Sequence, residues 1–386
     1  MFHLGLIGTS SNRGAGYIGV CKNKVPEGYR ISALCDINEE VLNAAAERYY
    51  PDGDVKKYTD YRKLLDDPEI DGVIICTPDK THRQITEDCV RAGKHVLLEK
   101  PISNNKEDAF AIYDICKDYH KTVKIGFVLR WSEYYKKIKE LITDGTIGEV
   151  ISIQANEFLN YDHGSSFFRR WHRKKENSGG LLNCKCSHDF DILNWLVDKR
   201  PLYVQSFGGL SGFKPIENDA ENCDQCKLKD TCMYDFNRIR SSFPNENICV
   251  YNCEKDIVDH QTVNILYEDN VTANLHLSAI SAYETRTMTV YGTKATITGN
   301  FTDMKLKVKG VYPQTEAEFV FEKHTDHGGG DTGLMNEFVK SIRGEIPVIN
   351  DIEYALLASV LAFGADKSKD EHLTVNLSEF TDGRIS

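Results

Sequence analysis

Over residues 1–127 short apolar runs alternate with longer amphipathic stretches, and that alternation leaves few architectures open. The run 4–7 leads into the polar, glycine-rich Gly8-Thr9-Ser10-Ser11-Asn12-Arg13-Gly14-Ala15-Gly16 and then into Tyr17-Ile18-Gly19-Val20, the order of a strand, a turn and a helix. Residues 30–36 read as a second strand and 38–49 as an Ala-rich helix. Val73-Ile74-Ile75-Cys76-Thr77-Pro78 is apolar without alternation, as a strand must be when both of its faces are covered. Residues 95–98 and 122–126 repeat the pattern, with helices expected around 81–92 and 105–119. Strands and helices of this length in alternation predict an α/β domain built on a doubly wound parallel sheet.

Ligands on such sheets bind beyond the carboxyl ends of the strands. After the first strand, Gly8, Ser10, Ser11, Asn12 and Arg13 form a loop whose backbone N–H groups and following helix N-terminus suit a pyrophosphate. The loop departs from G-x-G-x-x-G, since Ser10 replaces the second glycine and Gly14 falls one residue late; a purely structural turn is the alternative. Asp36 ends the second strand, where a carboxylate can bond a ribose 2′-hydroxyl and repel a 2′-phosphate, favouring NAD over NADP. Its plainer role would be to cap the helix that follows.

The fourth strand of this series runs Ala92-Gly93-Lys94-His95-Val96-Leu97-Leu98 into Glu99-Lys100-Pro101. With Cys76-Thr77-Pro78 through His82, residues 142–150 and residues 167–196, this resembles the Gfo/Idh/MocA family, the relatives of glucose–fructose oxidoreductase and inositol dehydrogenase. The resemblance implies a Rossmann-like NAD-binding domain over residues 1–127. Over 128–386 it implies a C-terminal α+β substrate-binding domain with a large, mainly antiparallel open sheet, assembled into a homo-oligomer, dimer or tetramer. It places Lys100 at the reacting hydroxyl beside the nicotinamide, with Thr77, Pro78, His82 and Glu99 at the cofactor. An ammonium at the mouth of a parallel sheet is independently suited to polarise a substrate oxygen.

Beyond residue 128 the runs 150–155, 263–267, 272–278, 285–291 and 305–309 alternate as strands with one polar face, the antiparallel pattern. The densest polar segment is Phe168-Arg169-Arg170-Trp171-His172-Arg173, followed by residues 178–196 with Cys184-Lys185-Cys186-Ser187-His188-Asp189-Phe190-Asp191. There His188 and Asp191 are expected together near the start of a helix. The resemblance gives His188 the substrate hydroxyl proton. Many family members have Asp four residues before this His, and Cys184 stands there instead. Lys185 would add an ammonium near His188, lowering the imidazole pKa, or would hold an anionic substrate group. Trp171, His172 and Arg130 are candidate substrate contacts, an aromatic platform and a guanidinium for a sugar face.

Seven of the twelve cysteines fall between 184 and 253, and Cys223, Cys226 and Cys232 give C-x2-C-x5-C. With Cys253 as fourth ligand, or Cys249 in its place, they could close a structural zinc site in a polar insert at about 218–253; an iron–sulfur cluster or free thiols are the alternatives. Near the end, Asp331 reads as the N-cap of a helix over 332–342, with His327 a weak site candidate, and 352–362 as a last apolar helix. A net charge of −11 argues against nucleic acid and anionic lipid as partners. With no leader-like opening and no long apolar run, the chain reads as cytoplasmic. The expected activity is hydride transfer between nicotinamide and a secondary hydroxyl of a sugar, sugar derivative or cyclitol. Redox-neutral glycoside cleavage through transient oxidation and a non-catalytic dinucleotide sensor are the other readings.

Overall fold

In a computed structural model the apolar runs of the first third become strands. β1 (Phe2–Ile7), β2 (Tyr29–Cys35), β3 (Lys56–Tyr58), β4 (Gly72–Ile75), β5 (His95–Leu98) and β6 (Val123–Ile125) pair in the order β3-β2-β1-β4-β5-β6, every pair parallel. This is the order of a dinucleotide-binding sheet. The structure describes residues 1–23, 28–218, 220–239, 241, 243–324 and 327–384. Only β3 lacks a sequence signal: it is three residues long and its two lysines are exposed at the edge.

The chain divides into two units, residues 1–136 with 324–359, and residues 137–323 with 360–386. Against the expected boundary at 127/128 with everything beyond in one domain, residues 324–359 pack with the first unit. The cause is the helix Gly330–Ile342, whose Leu334, Met335, Phe338, Val339 and Ile342 pack into one core with Leu4, Leu6, Ile18, Leu34, Ile74 and Leu97. The following segment covers the open edge of β6, where Val123 N–H donates to the Ile349 carbonyl at 2.9 Å and Asp351 N–H to the Val123 carbonyl at 3.0 Å.

In the second unit β7 (Val150–Asn160), β8 (Pro201–Gly209), β9 (His260–Tyr267), β10 (Thr272–Ser281), β11 (Thr285–Gly292), β12 (Ala295–Asn300), β13 (Lys305–Gly310), β14 (Glu316–Val320) and β15 (Val375–Asn376) form one sheet, ordered β14-β13-β12-β11-β7-β10-β9-β8-β15. The sheet is antiparallel apart from the β7–β10 pair. Its strands alternate: Ile153, Ala155 and Leu159 of β7 and Leu275 and Leu277 of β10 are buried, their neighbours less so. The helix Leu181–Val197 packs on β7 and β10 and is buried along nearly its whole length. The last long helix, Ile352–Glu371, runs past its expected end at 362 because Ala365 and Ser368 continue its buried side. Among the described residues no helix is long and apolar enough to cross a membrane.

Candidate active site

In the first unit the loops after β1, β2, β4 and β5 carry the candidate residues. Gly8 has φ +94°, and a Cβ there would lie 2.6 Å from the Cys76 carbonyl oxygen, so only glycine fits. Side chains then shape the rest of the loop. Ser11 Oγ donates to the Gly8 carbonyl at 3.1 Å and accepts from Gly14 N–H at 2.9 Å, closing the turn into the helix Asn12–Asn23. Asp36 Oδ2 accepts from Thr9 Oγ1 at 3.1 Å and from Ser10 N–H at 3.0 Å. Serine and threonine hydroxyls thus supply the local bonds in a loop that departs from the glycine pattern. Asp36 does not cap the next helix; Asn38 does, accepting from Glu40 and Val41 N–H, while Asp36 Oδ1 takes Asn38 N–H.

Arg13, expected beside a pyrophosphate, is held by side chains of its own unit. Its Nε donates to Glu99 Oε1 at 2.9 Å, and its Nη2 lies 2.8 Å from Asp331 Oδ1 and 3.1 Å from Tyr17 Oη. Tyr17 also donates to Glu99 Oε1 at 2.6 Å. The guanidinium is therefore committed to two carboxylates, which an approaching phosphate would have to displace. Glu99, 4% exposed, serves as the hub of this cluster; its Oε2 accepts the backbone N–H of Lys100 at 3.2 Å. Gly126 makes room for it, since a Cβ there would come within 2.8 Å of Glu99 Oε1. Asp331 sits inside its helix and Gly329 is the N-cap, correcting the sequence expectation. Burial would raise the Asp331 pKa, but His327, 2.8 Å away, and Arg13 hold it well below the usual carboxylate range.

After β4, Thr77 Oγ1 accepts from Thr81 Oγ1 at 2.8 Å, and Pro78 precedes a short turn, Asp79–Thr81. His82 is fully buried, with Nδ1 2.9 Å from the Pro101 carbonyl oxygen and Nε2 3.0 Å from that of Thr77. Burial lowers its pKa. It ties the two loops together. The Arg130 guanidinium lies over the Tyr354 ring, 4.3 Å from its centroid.

In the second unit, His188 is 8% exposed and Asp191 1%, one turn apart on a helix that begins earlier than expected, at Leu181. Lys185 is not an isolated charge: its Nζ lies 2.9 Å from Oε1 of the buried Glu157. Arg286 Nε lies 2.6 Å from Glu157 Oε2 and 3.0 Å from Asp189 Oδ1. Burial raises the pKa of Asp189, whereas Arg286 and Lys185 overcome burial at Glu157 and lower it. An ammonium neutralised in this way acts far less on a nearby imidazole than a bare one would. Glu157, Asp189 and Arg286 were not singled out by pattern; a Glu at a buried position of an alternating strand was the available signal. Trp171 and His172 stack at 3.7 Å between centroids in a short helical turn.

Family models match both parts of the chain: an oxidoreductase family NAD-binding Rossmann fold over residues 2–127 and the C-terminal alpha/beta domain of the same family over 139–377. The chain belongs to the Gfo/Idh/MocA oxidoreductases. The oxidoreductase YteT of Bacillus subtilis is 24% identical over 371 residues, 86% of each chain. Myo-inositol 2-dehydrogenase of Thermotoga maritima is 29% identical over 165 residues, 43% of this chain and 46% of that protein, so the match spans about half of its length. A solved levoglucosan dehydrogenase in complex with NADH and levoglucosan has the same fold, with a TM-score of 0.78 at 18% identity over 97% of this chain and 99% of that one.

This Gfo/Idh/MocA chain carries its cysteine insert between β8 and β9, where Cys223, Cys226, Cys232 and Cys249 line one cavity. Among the described residues no group of three or more His, Cys, Asp or Glu side chains is arranged to hold a metal ion. Cys253 turns away, its thiol donating to the Phe168 carbonyl at 3.3 Å. Cys226 Sγ accepts from Asn218 Nδ2 at 3.0 Å, and Cys223 meets the Arg169 guanidinium at 3.8 Å. All twelve cysteines are thiols. Arg169 holds the insert instead: 1% exposed, it donates to the carbonyls of Ile248, at 2.8 Å, and Tyr234. Phe168, Phe213, Tyr234 and Tyr251 pack against one another with ring centroids 4.3–6.2 Å apart.

Proposed function

We propose that the chain is an NAD-dependent dehydrogenase acting on a secondary hydroxyl of a sugar, sugar derivative or cyclitol. The observation that carries this reading is the placement of Lys100 directly after β5, its backbone N–H held by a Glu99 that Arg13 and Tyr17 fix in turn. The cofactor fits the residues present: Gly8 admits close approach beside the Asn12–Asn23 helix start, and Asp36 directly follows β2, a position suited to bond a ribose and repel a 2′-phosphate. When bound, the nicotinamide exchanges a hydride with the substrate carbon. Lys100 is the group to polarise the hydroxyl oxygen and exchange its proton, and His188 is a second proton-handling group on the substrate domain. Trp171, His172, Arg130 and Asp191 are the proposed substrate contacts. Tyr203, Phe207 and Tyr291, exposed on the open face of the second sheet, suit a homo-oligomer.

Purified protein with NAD and a panel of inositols, monosaccharides and anhydrosugars should generate NADH, read by its absorbance. Lys100→Ala should lower turnover by about 10²–10⁴-fold while NADH still quenches tryptophan fluorescence. Protein that binds neither NAD nor NADH sinks the reading.

A further inference from the structure

The loops after β4 and β5 carry a second ionisable group close to Lys100. β4 and β5 are parallel neighbours with Ile75 opposite Leu98, so the segments beginning at Cys76 and Glu99 leave the sheet side by side. His82 bridges them through the Thr77 and Pro101 carbonyls, fixing one loop against the other. Asp79 lies on the first of these loops. It is 6% exposed, and its buried Oδ2 has no hydrogen-bond partner among the described residues. A carboxylate oxygen desolvated and unbonded is costly, and such groups concentrate where chemistry requires them.

The charges acting on Asp79 are those of Lys100 and Glu99. Glu99 is already met by Arg13 and Tyr17, which leaves Lys100 as the counter-charge of Asp79. Lys80 and His82 are further titratable groups of this loop, and His82 has both ring nitrogens engaged by backbone carbonyls. We propose that Asp79 is the proton-exchange partner of Lys100 and so sets the form in which the amine meets the substrate hydroxyl. This rests on the role given to Lys100 above. In the oxidation direction the substrate O–H bond breaks as an Nζ–H bond forms, and two electrons leave the carbon with the hydride. The surplus proton on Nζ passes to the Asp79 carboxylate, forming its O–H bond; reduction runs the exchange backwards. Burial raises the Asp79 pKa well above the ordinary carboxylate range, against the pull of Lys100. An acceptor with an ordinary carboxylate pKa would hold a proton too weakly to take part.

Carboxyl carbon NMR of full-length protein labelled at aspartate tests the pairing without any substrate. One signal, absent in Asp79→Asn, should titrate above the ordinary carboxylate range and move higher still in Lys100→Met, where the cation favouring the carboxylate is gone. An ordinary titration, or one indifferent to Lys100→Met, overturns the proposal. This arm holds even if no polyol in the panel is oxidised, an outcome that counts against the dehydrogenase reading instead. With a polyol that is turned over, Asp79→Asn should lower kcat at least about tenfold and flatten its pH profile, leaving KM and NADH affinity within about twofold. Asp79→Glu, which keeps an exchangeable carboxyl, should recover part of the loss. Parental kcat and pH profile in Asp79→Asn would overturn the assignment.

Discussion

Asp36 shows how a residue can be legible in position and illegible in its contacts. Its place at the end of an apolar strand follows from the sequence, but its bonds to Thr9 and Ser10 join residues 26 and 27 positions apart, and periodicity carries no record of them. The carboxylate shapes the loop after β1 and, in the proposed function, also bonds the ribose diol. Asp36→Ala should weaken NAD binding by about 10–100-fold, the range for losing hydrogen bonds to a charged group, and weaken NADP binding less. Calorimetric titration with each cofactor measures both; an unchanged NAD-to-NADP preference would remove Asp36 from the cofactor site. Asp79 is the complementary case. Within Thr77-Pro78-Asp79 an acidic residue reads as an ordinary helix-start group, and only a buried Oδ2 with no hydrogen-bond partner among the described residues distinguishes it.

At the scale of elements, the parallel sheet was readable because each buried strand is a continuous apolar run, and the antiparallel sheet because its strands alternate. Of the strands that those runs leave unmarked, β3 and β15 are three and two residues long and have no period to display, while β8, β12 and β14 are longer. The insert was only half legible for a different reason. Cysteine spacing suggests thiolate ligands whatever the surrounding fold does with them, whereas Arg169 and Arg170 look alike in sequence and differ only by helix phase. Arg169 points into the insert; Arg170 returns to the Ser166 carbonyl at 3.1 Å. Arg169→Met strands the carbonyls of Ile248 and Tyr234 and should cost about 2–4 kcal/mol. The expected result is earlier thermal unfolding with protease cleavage concentrated between β8 and β9. A variant as stable and as resistant as the parent would return the insert's stability to its thiols.

For the molecule as a whole, the apolar face of the helix Gly330–Ile342 was visible in sequence, but such a face carries no address, and only packing reveals that it belongs with the first sheet. Whole-chain stability against pH is likewise a sum over scattered sites. Burial lowers the pKa of His82 and His163 and, with the charge of Lys121, brings His95 to about 4. Unfolded imidazoles take protons near ~6.5, so this contribution is complete above that pH and is lost on descent toward 4. Asp79, Asp189 and Asp366 act oppositely: burial raises each, Asp189 to about 6, so their folded carboxyls take protons first and stability is gained over nearly the same interval. Below it nothing compensates. Despite burial, hydrogen bonds from Lys56 and Tyr58 help bring Asp67 to about 2, and Glu157, Glu284 and Asp331 are also depressed. Their contribution is present above the unfolded value of ~4 and lost as pH falls through the folded pKa. Melting followed by circular dichroism should therefore vary by no more than about 5 °C between pH ~7 and ~5 and fall steeply below pH ~4. A steep loss already between pH ~6.5 and ~5 would show that the buried histidines outweigh the raised aspartates, and that the two sets do not balance.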